Sequence, residues 1–152
     1  MGPVEKLNAE FLFELELVCK STLVVGANDF GYLRVITIDG GHFHGCINGT
    51  VVPGGADWNT CYGGAQDGRH FNSKSVSAKY LLQTDDGVYI TIENSTYIKN
   101  DGDPPPYIRS APVLHAPHGK YEWINYGAKV ATLYSQPSGD GYLVHIKIYL
   151  MK

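Results

Sequence analysis

Between Gly40 and Trp58 the chain reads Gly-Gly-His-Phe-His-Gly-Cys-Ile-Asn-Gly-Thr-Val-Val-Pro-Gly-Gly-Ala-Asp-Trp, with six glycines and one proline in nineteen residues. Such a stretch excludes helix and admits the bulges and sharp bends by which a strand turns a corner. It ends on Asp57 and Trp58, a carboxyl beside an indole just after a tight bend, which marks a candidate site.

The segments around it alternate with a period of two. Phe11, Phe13, Leu15, Leu17 and Cys19 share one face of a strand over Phe11–Lys20, with Glu14, Glu16 and Lys20 on the other. A turn around Gly26–Gly31 leads to Tyr32–Asp39, where Ile36 and Ile38 fall on the side of Arg34. If that side is interior, Arg34 is a buried cation needing an acid. The Gly40–Gly41 pair leaves the next facing open. Preserved parity turns His42, His44 and Cys46 inward, whereas a one-residue slip turns Phe43 and Ile47 inward.

Thr50–Pro53 reads as a short extended piece and Asn59–Asn72 as a polar, glycine-rich loop. Ser75–Thr84 and Val88–Glu93 flank Asp85-Asp86-Gly87 and predict a hairpin, because Asp-Gly takes the positive φ of a primed turn. Asn100–Pro106 predicts a rim loop over an opening. Ile108–His115, Tyr121–Ile124, Lys129–Ser135 and Tyr142–Met151 read as further strands. Nearly ten strands without a helix predict an all-β fold: a single closed or nearly closed antiparallel barrel spanning residues 1–152, with 1–10 as an amino-terminal arm.

Eighteen glycines, eleven tyrosines and eight prolines against two methionines fit turn-rich β structure. A length of 152 residues suits one core. A net charge of -3 with no basic run argues against a nucleic-acid partner. No apolar run long enough to cross a membrane occurs, and Glu5, Lys6, Glu10, Glu14 and Glu16 break any signal-peptide core. Cys19, Cys46 and Cys61 are odd in number and widely spaced, which points to a reduced, cytoplasmic compartment.

Three kinds of chemistry can be weighed. His42, His44 and Cys46 at i, i+2 and i+4 could begin a metal site, but no further ligand lies at a fitting distance, and no metal or other cofactor is expected. The cysteines and Ser110 or Ser135 lack a nucleophile's local setting. Acid-base work fits better. Asp57, Asp85 and Asp86 sit at strand ends, and a carboxyl against Trp58 in an apolar barrel mouth would have its charged form disfavoured. Asp57 could equally pair structurally with Arg34, and Asp85 and Asp86 could only shape their turn.

The aromatic set Trp58, Tyr80, Tyr89, Tyr97, Tyr107, Tyr121 and Trp123 exceeds what a core of this size requires and suits a pocket for a planar aromatic ligand. Trp123 and Asn125, alternate positions on one strand face, would line such a cavity. Many tyrosines on an open sheet face make a homodimer plausible.

The ordered segments Gly40-Gly41-His42-Phe43-His44-Gly45, Gly49 to Trp58, Thr84-Asp85-Asp86-Gly87 and Tyr121-Glu122-Trp123-Ile124-Asn125, with Arg34 and Phe11-Leu12-Phe13-Glu14, resemble the Domain of Unknown Function 3237 family over about residues 11–151. Pro-Gly-Gly-Ala-Asp-Trp is the most specific of them. The resemblance implies a calycin-like barrel, of the lipocalin and allene oxide cyclase kind, with the ligand inside. Fungal members in natural-product pathways look like cofactor-free cyclases that close oxygen heterocycles on aromatic polyketides. Matching positions carry over as Arg34, Asp57, Trp58, Asp86, Trp123 and Asn125.

Two functions follow as expectations. The first is a cofactor-free cyclase or isomerase that closes an oxygen heterocycle on a prenylated aromatic substrate, by hydroxyl addition across an alkene. Asp57, Arg34 and Asp86 would be catalytic, with Trp58, Tyr80, Tyr97, Trp123 and Asn125 around the substrate. The second is a lipocalin-like carrier of small molecules without turnover.

Overall fold

The computed structural model describes residues 2, 5–65, 67, 69–100 and 107–152. Among the described residues eleven strands form one antiparallel sheet: β1 (Ala9–Cys19), β2 (Thr22–Asn28), β3 (Gly31–Ile38), β4 (Gly40–Gly45), β5 (Gly49–Tyr62), β6 (Ser73–Thr84), β7 (Tyr89–Lys99), β8 (Arg109–Ser110), β9 (Val113–His115), β10 (Lys129–Ser138) and β11 (Gly141–Met151). The order across the sheet is β8-β10-β11-β1-β4-β5-β6-β7-β9, with the β2-β3 hairpin attached to β5. The two ends of that path, β8 and β9, are separated in the chain only by Ala111 and Pro112. One short segment therefore ties both margins, and Thr96 Oγ1 on β7 donates to the Arg109 carbonyl at 2.6 Å across the seam. The expected all-β antiparallel barrel is the architecture found.

Strand β5 is the hinge of the barrel. Its first residues pair with β4 and its later ones with β3, while β6 runs along its other side. The register against β6 jumps between Val52 and Ala56, so Pro53-Gly54-Gly55 forms the predicted bend. The facing left open at Gly40–Gly41 resolves as the one-residue slip. Ile38 and then Phe43 and Ile47 are buried, while His42, His44 and Cys46 lie outside. Gly41 makes the slip possible: its φ is +134°, and a Cβ there would lie 2.0 Å from the Glu16 carbonyl oxygen.

One end of the barrel is solid. Phe13 and Phe43 pack edge to face at 5.9 Å, with Leu15, Val51, Leu82, Ile90, Ile92, Leu114 and Ile148 around them. In β1 a register shift between Phe11 and Phe13 buries Leu12 and turns Phe11 out, against Tyr149, so Phe11 does not share the inner face as its parity predicted.

Four further expectations need correction. The turn at Gly26–Gly31 is mostly strand, because β2 pairs with β3 past a bulge at Val25 and only Asp29-Phe30 turn. Asn59–Tyr62 continues β5 instead of opening a loop, its backbone paired with β6 throughout and with β3 as far as Cys61. Ile108–His115 is broken at Ala111-Pro112 into two short strands. Tyr121–Ile124 is not a strand: Glu122–Asn125 is a 3-10 turn that drops Ile124 into the core. Of the expected rim loop, residues 101–106 lie outside the described residues. Among the described residues no helix is long and apolar enough to cross a membrane.

Candidate functional site

The other end of the barrel is hollow. A cavity of about 470 Å³ opens between β1, β2, β3, β5, β6, β7, β8, β10 and β11. Leu17, Ile38, Tyr80 and Ile146 belong both to the core and to this lining, so they form its floor. Its walls are apolar at Ile36, Val76, Ala78, Ile98, Leu133 and Val144. Into this setting the strand periodicity brings a polar group from several directions. Alternate residues Asp57, Asn59 and Cys61 of β5 face inward, as do Lys74, Val76, Ala78 and Tyr80 of β6 and Asn94, Thr96 and Ile98 of β7.

The register fixes who meets whom. Arg34 stands directly opposite Asn59, and Ile36 opposite Asp57. Arg34 Nη2 donates to Asn59 Oδ1 at 3.0 Å, and the Cys61 thiol lies 3.7 Å from the same oxygen. Asp57, Ala78 and Asn94 form one row across β5, β6 and β7, with the small alanine leaving open space between the two polar side chains.

Five buried polar atoms of this lining have no hydrogen-bond partner: Arg34 Nε, Asp57 Oδ1, Tyr80 Oη, Asn94 Oδ1 and Ser110 Oγ. An unpaired buried polar group is costly, about 1–3 kcal/mol each. Five around one cavity mark a place where something other than protein completes the bonding.

The electrostatics are equally particular. Burial raises the Asp57 pKa above its ordinary value; the Asn59 side chain and the charges of Lys74 and Arg34 offset only part of that. Among the described residues no direct ion pair joins Asp57 to Arg34, so the structural pairing allowed by the sequence is replaced by a contact routed through Asn59. Burial, and then the Arg34 charge, lower the Lys74 pKa. Burial holds the Tyr80 phenol well above its usual range, leaving it a neutral donor and acceptor. The Cys19 thiol is pushed up to about 11, mainly by burial, which keeps it from acting as a thiolate.

The remaining candidates lie elsewhere. Trp58 is 54% exposed on the outer face, since it alternates with Asp57. Tyr97 is 80% exposed for the same reason, beside inward-facing Thr96 and Ile98. Asp86 is exposed in the hairpin turn and receives the Thr84 and Tyr121 hydroxyls at 2.6 and 2.7 Å and the Lys120 ammonium at 3.3 Å. Trp123 stands exposed on the 3-10 turn. Asn125 clasps Ala116, accepting from its N–H at 2.6 Å and donating to its carbonyl at 2.9 Å. Thus Arg34, Asp57 and Tyr80 come together, whereas Asp86, Trp58, Tyr97, Trp123 and Asn125 do not reach the cavity.

The histidines of β4 face solvent, His42 beside Glu16 at 3.4 Å and His44 beside Glu14 at 2.6 Å. Among the described residues no group of three or more His, Cys, Asp or Glu could hold a metal ion.

Asn59, Lys74, Asn94 and Ser110 were not among the expected residues. Asn59 shares the parity of Asp57, and Lys74 that of Tyr80. Continuing the extended piece from Pro53 through Asn59 and beginning β6 one residue earlier would have found both.

Known proteins resemble this chain in sequence or in fold. A UPF0311 protein of Bradyrhizobium diazoefficiens is 27% identical over 131 residues, covering 78% of this chain and 82% of the relative. The crystal structure of a β-barrel-like protein from Acinetobacter baumannii covers 100% of both chains at 23% identity and a TM-score of 0.79. A Penicillium herquei protein described as an enzyme covers 97% of this chain and 99% of its own, at 24% identity and a TM-score of 0.68. Residues 7–151 match the sequence profile of the DUF3237 family, described as protein of unknown function, and the chain belongs to that family.

Proposed function

We propose that the protein is a cofactor-independent cyclase or isomerase that closes an oxygen heterocycle on a planar aromatic substrate held in the barrel. The observation that carries this reading is Asp57: a partly buried residue lining a largely apolar cavity, with one buried, unpartnered carboxyl oxygen and a pKa raised by burial. Such a carboxyl is a proton donor in a place from which water can be displaced. The fungal protein of the same fold that is described as an enzyme supports turnover over simple carriage.

The step is an isomerisation. Asp57 gives its proton to one carbon of a substrate alkene, whose π electrons form the new C–H bond. The substrate hydroxyl oxygen bonds to the adjacent carbon and its proton leaves to solvent, from which the Asp57 carboxylate is reprotonated. No atom is gained or lost. In this reading Tyr80, Asn94 and Ser110, each a lining residue with an unpartnered polar atom, hold oxygen atoms of the ring system, and the apolar walls shield developing positive charge.

The test uses an ortho-prenylated phenol, binding read by thermal shift and product by chromatography with mass detection. The wild-type protein should convert it to a cyclic ether of unchanged mass. Asp57→Asn should bind it and lose roughly a hundredfold to ten-thousandfold in rate. Binding without conversion by the wild-type protein would replace the enzyme reading with the carrier reading.

A further inference from the structure

Lys74 has no part in the chemistry above, yet it is the second cation of the cavity. It stands opposite Cys61 on β6, just as Arg34 stands opposite Asn59 on β3, so the two long side chains flank β5 from its two neighbours. Strands lie about 4.8 Å apart, so two side chains rooted about 10 Å apart can reach a common point over Asn59 and Cys61. The Lys74 ammonium rests over the Phe71 ring, 4.8 Å from its centroid. Among the described residues it has no carboxylate or carbonyl acceptor. Arg34 spends Nη2 on Asn59 and leaves Nε unpaired.

The charges do not balance. The cavity is lined by Arg34, Lys74 and Arg69 on one side of the ledger and by Asp57 and Asp67 on the other. Asp67 already receives the Arg69 and His70 backbone N–H groups and the His70 ring at 2.7 to 2.8 Å. On the barrel strands, Arg34 and Lys74 are opposed by Asp57 alone. Desolvated cations without partners are unfavourable, which is consistent with the lowered Lys74 pKa, and an arriving negative charge relieves both.

We infer that Arg34 and Lys74 together form an oxyanion site, and that the cavity takes its planar ligand ionised, as a phenolate or enolate. Arg34, whose Nε has no partner, and the Lys74 ammonium come from the strands on either side of β5, and donors from two separate strands suit one anionic oxygen held between them. This inference rests on the cavity being the ligand site but not on turnover there. It makes Lys74 a binding residue that determines specificity.

The experiment measures binding alone. The probe is 7-hydroxy-4-methylcoumarin, whose phenol and phenolate forms absorb at different wavelengths, compared with its 7-methoxy ether and with a coumarin carboxylate. The wild-type protein should bind the hydroxycoumarin as phenolate, lower its apparent pKa by about one unit or more, and bind the ether at least about tenfold more weakly, a difference of about 1.4 kcal/mol. Lys74→Met should abolish most of that shift and preference. Lys74→Arg should keep them, with melting curves showing that both variants are folded. Equal binding of phenol and ether would overturn the inference while leaving the cavity as a ligand site, as would tighter binding of the carboxylate. Failure of all three probes to bind folded protein would overturn both the inference and the ligand site. Phenolate binding without any conversion of a prenylated phenol would uphold the inference and remove only the cyclase reading.

Discussion

Arg34 and Asn59 face each other across the β3-β5 ladder, and the guanidinium reaches the Asn59 carbonyl oxygen at 3.0 Å instead of the nearby Asp57 carboxylate. That one bond holds the cation on Asn59 and leaves it without a direct ion pair to Asp57. Asn59→Leu preserves volume but removes the acceptor from a partly buried charge. It should destabilise the protein by about 2 kcal/mol, as read by urea denaturation, with the slope of the unfolding transition unchanged.

Asp57→Asn should alter the pH dependence of stability in a defined direction. The folded-state pKa of Asp57 is raised, so between the unfolded value near 3.8 and that raised value the native state holds more protons than the unfolded state. Wild-type stability from this group is therefore full below 3.8, falls as pH rises through the window, and levels above it. The Asn variant lacks the loss. Its melting temperature should match wild type at low pH and exceed it increasingly toward neutrality; a constant difference across pH would contradict the raised pKa.

Ala78 occupies the row between Asp57 and Asn94. Ala78→Phe should fill the cavity with a ring and abolish binding of phenolic probes. Because the space is hollow, the melting temperature should hold or rise. A fall of about 2 kcal/mol or more, as an overpacked core gives, would mean that the side chain does not enter the cavity.

Asp86 should behave as a clasp. Its pKa is held down to about 2, by the Thr84 and then the Tyr121 hydroxyl, against burial and with help from Lys120. Its contribution is present above the ordinary value of 3.8 and lost as pH falls through about 2. Asp86→Asn should leave phenol binding unchanged and weaken stability at neutral pH more than at pH 2, measured by thermal melts across that range.

Gly41 should tolerate no side chain. With φ at +134° and the Glu16 carbonyl where a Cβ would sit, Gly41→Ala must separate β4 from β1. A loss of about 3 kcal/mol in equilibrium unfolding is expected, the upper range for forced backbone strain.

How far the site could be read in advance follows from these particulars. Arg34, Asp57 and Tyr80 were legible because each shares the parity of a clear apolar run or ends a recognisable bend. Trp58 and Tyr97 misled because composition says that aromatics are abundant, not which face they take; each is one residue from an inward position. Trp123 and Asn125 misled because Tyr121–Ile124 alternates like a strand over a length too short to distinguish it from a 3-10 turn. Lys74 was missed because a lysine at a strand's beginning reads as solvated until the strand on its other side is known.

The sequence by itself determined the architecture: period-two alternation and glycine-rich bends are local properties, set by side-chain direction along a strand and by which residues accept positive φ. Tertiary structure decided the site. The facing after Gly41 depended on the carbonyl of Glu16, more than twenty residues earlier in the chain. The charge imbalance at Arg34, Asp57 and Lys74 exists only once β3, β5 and β6 lie side by side. A hollow end with unpaired polar atoms is a property of closure, because no strand carries the cavity until the segment joining β8 to β9 ties its walls together.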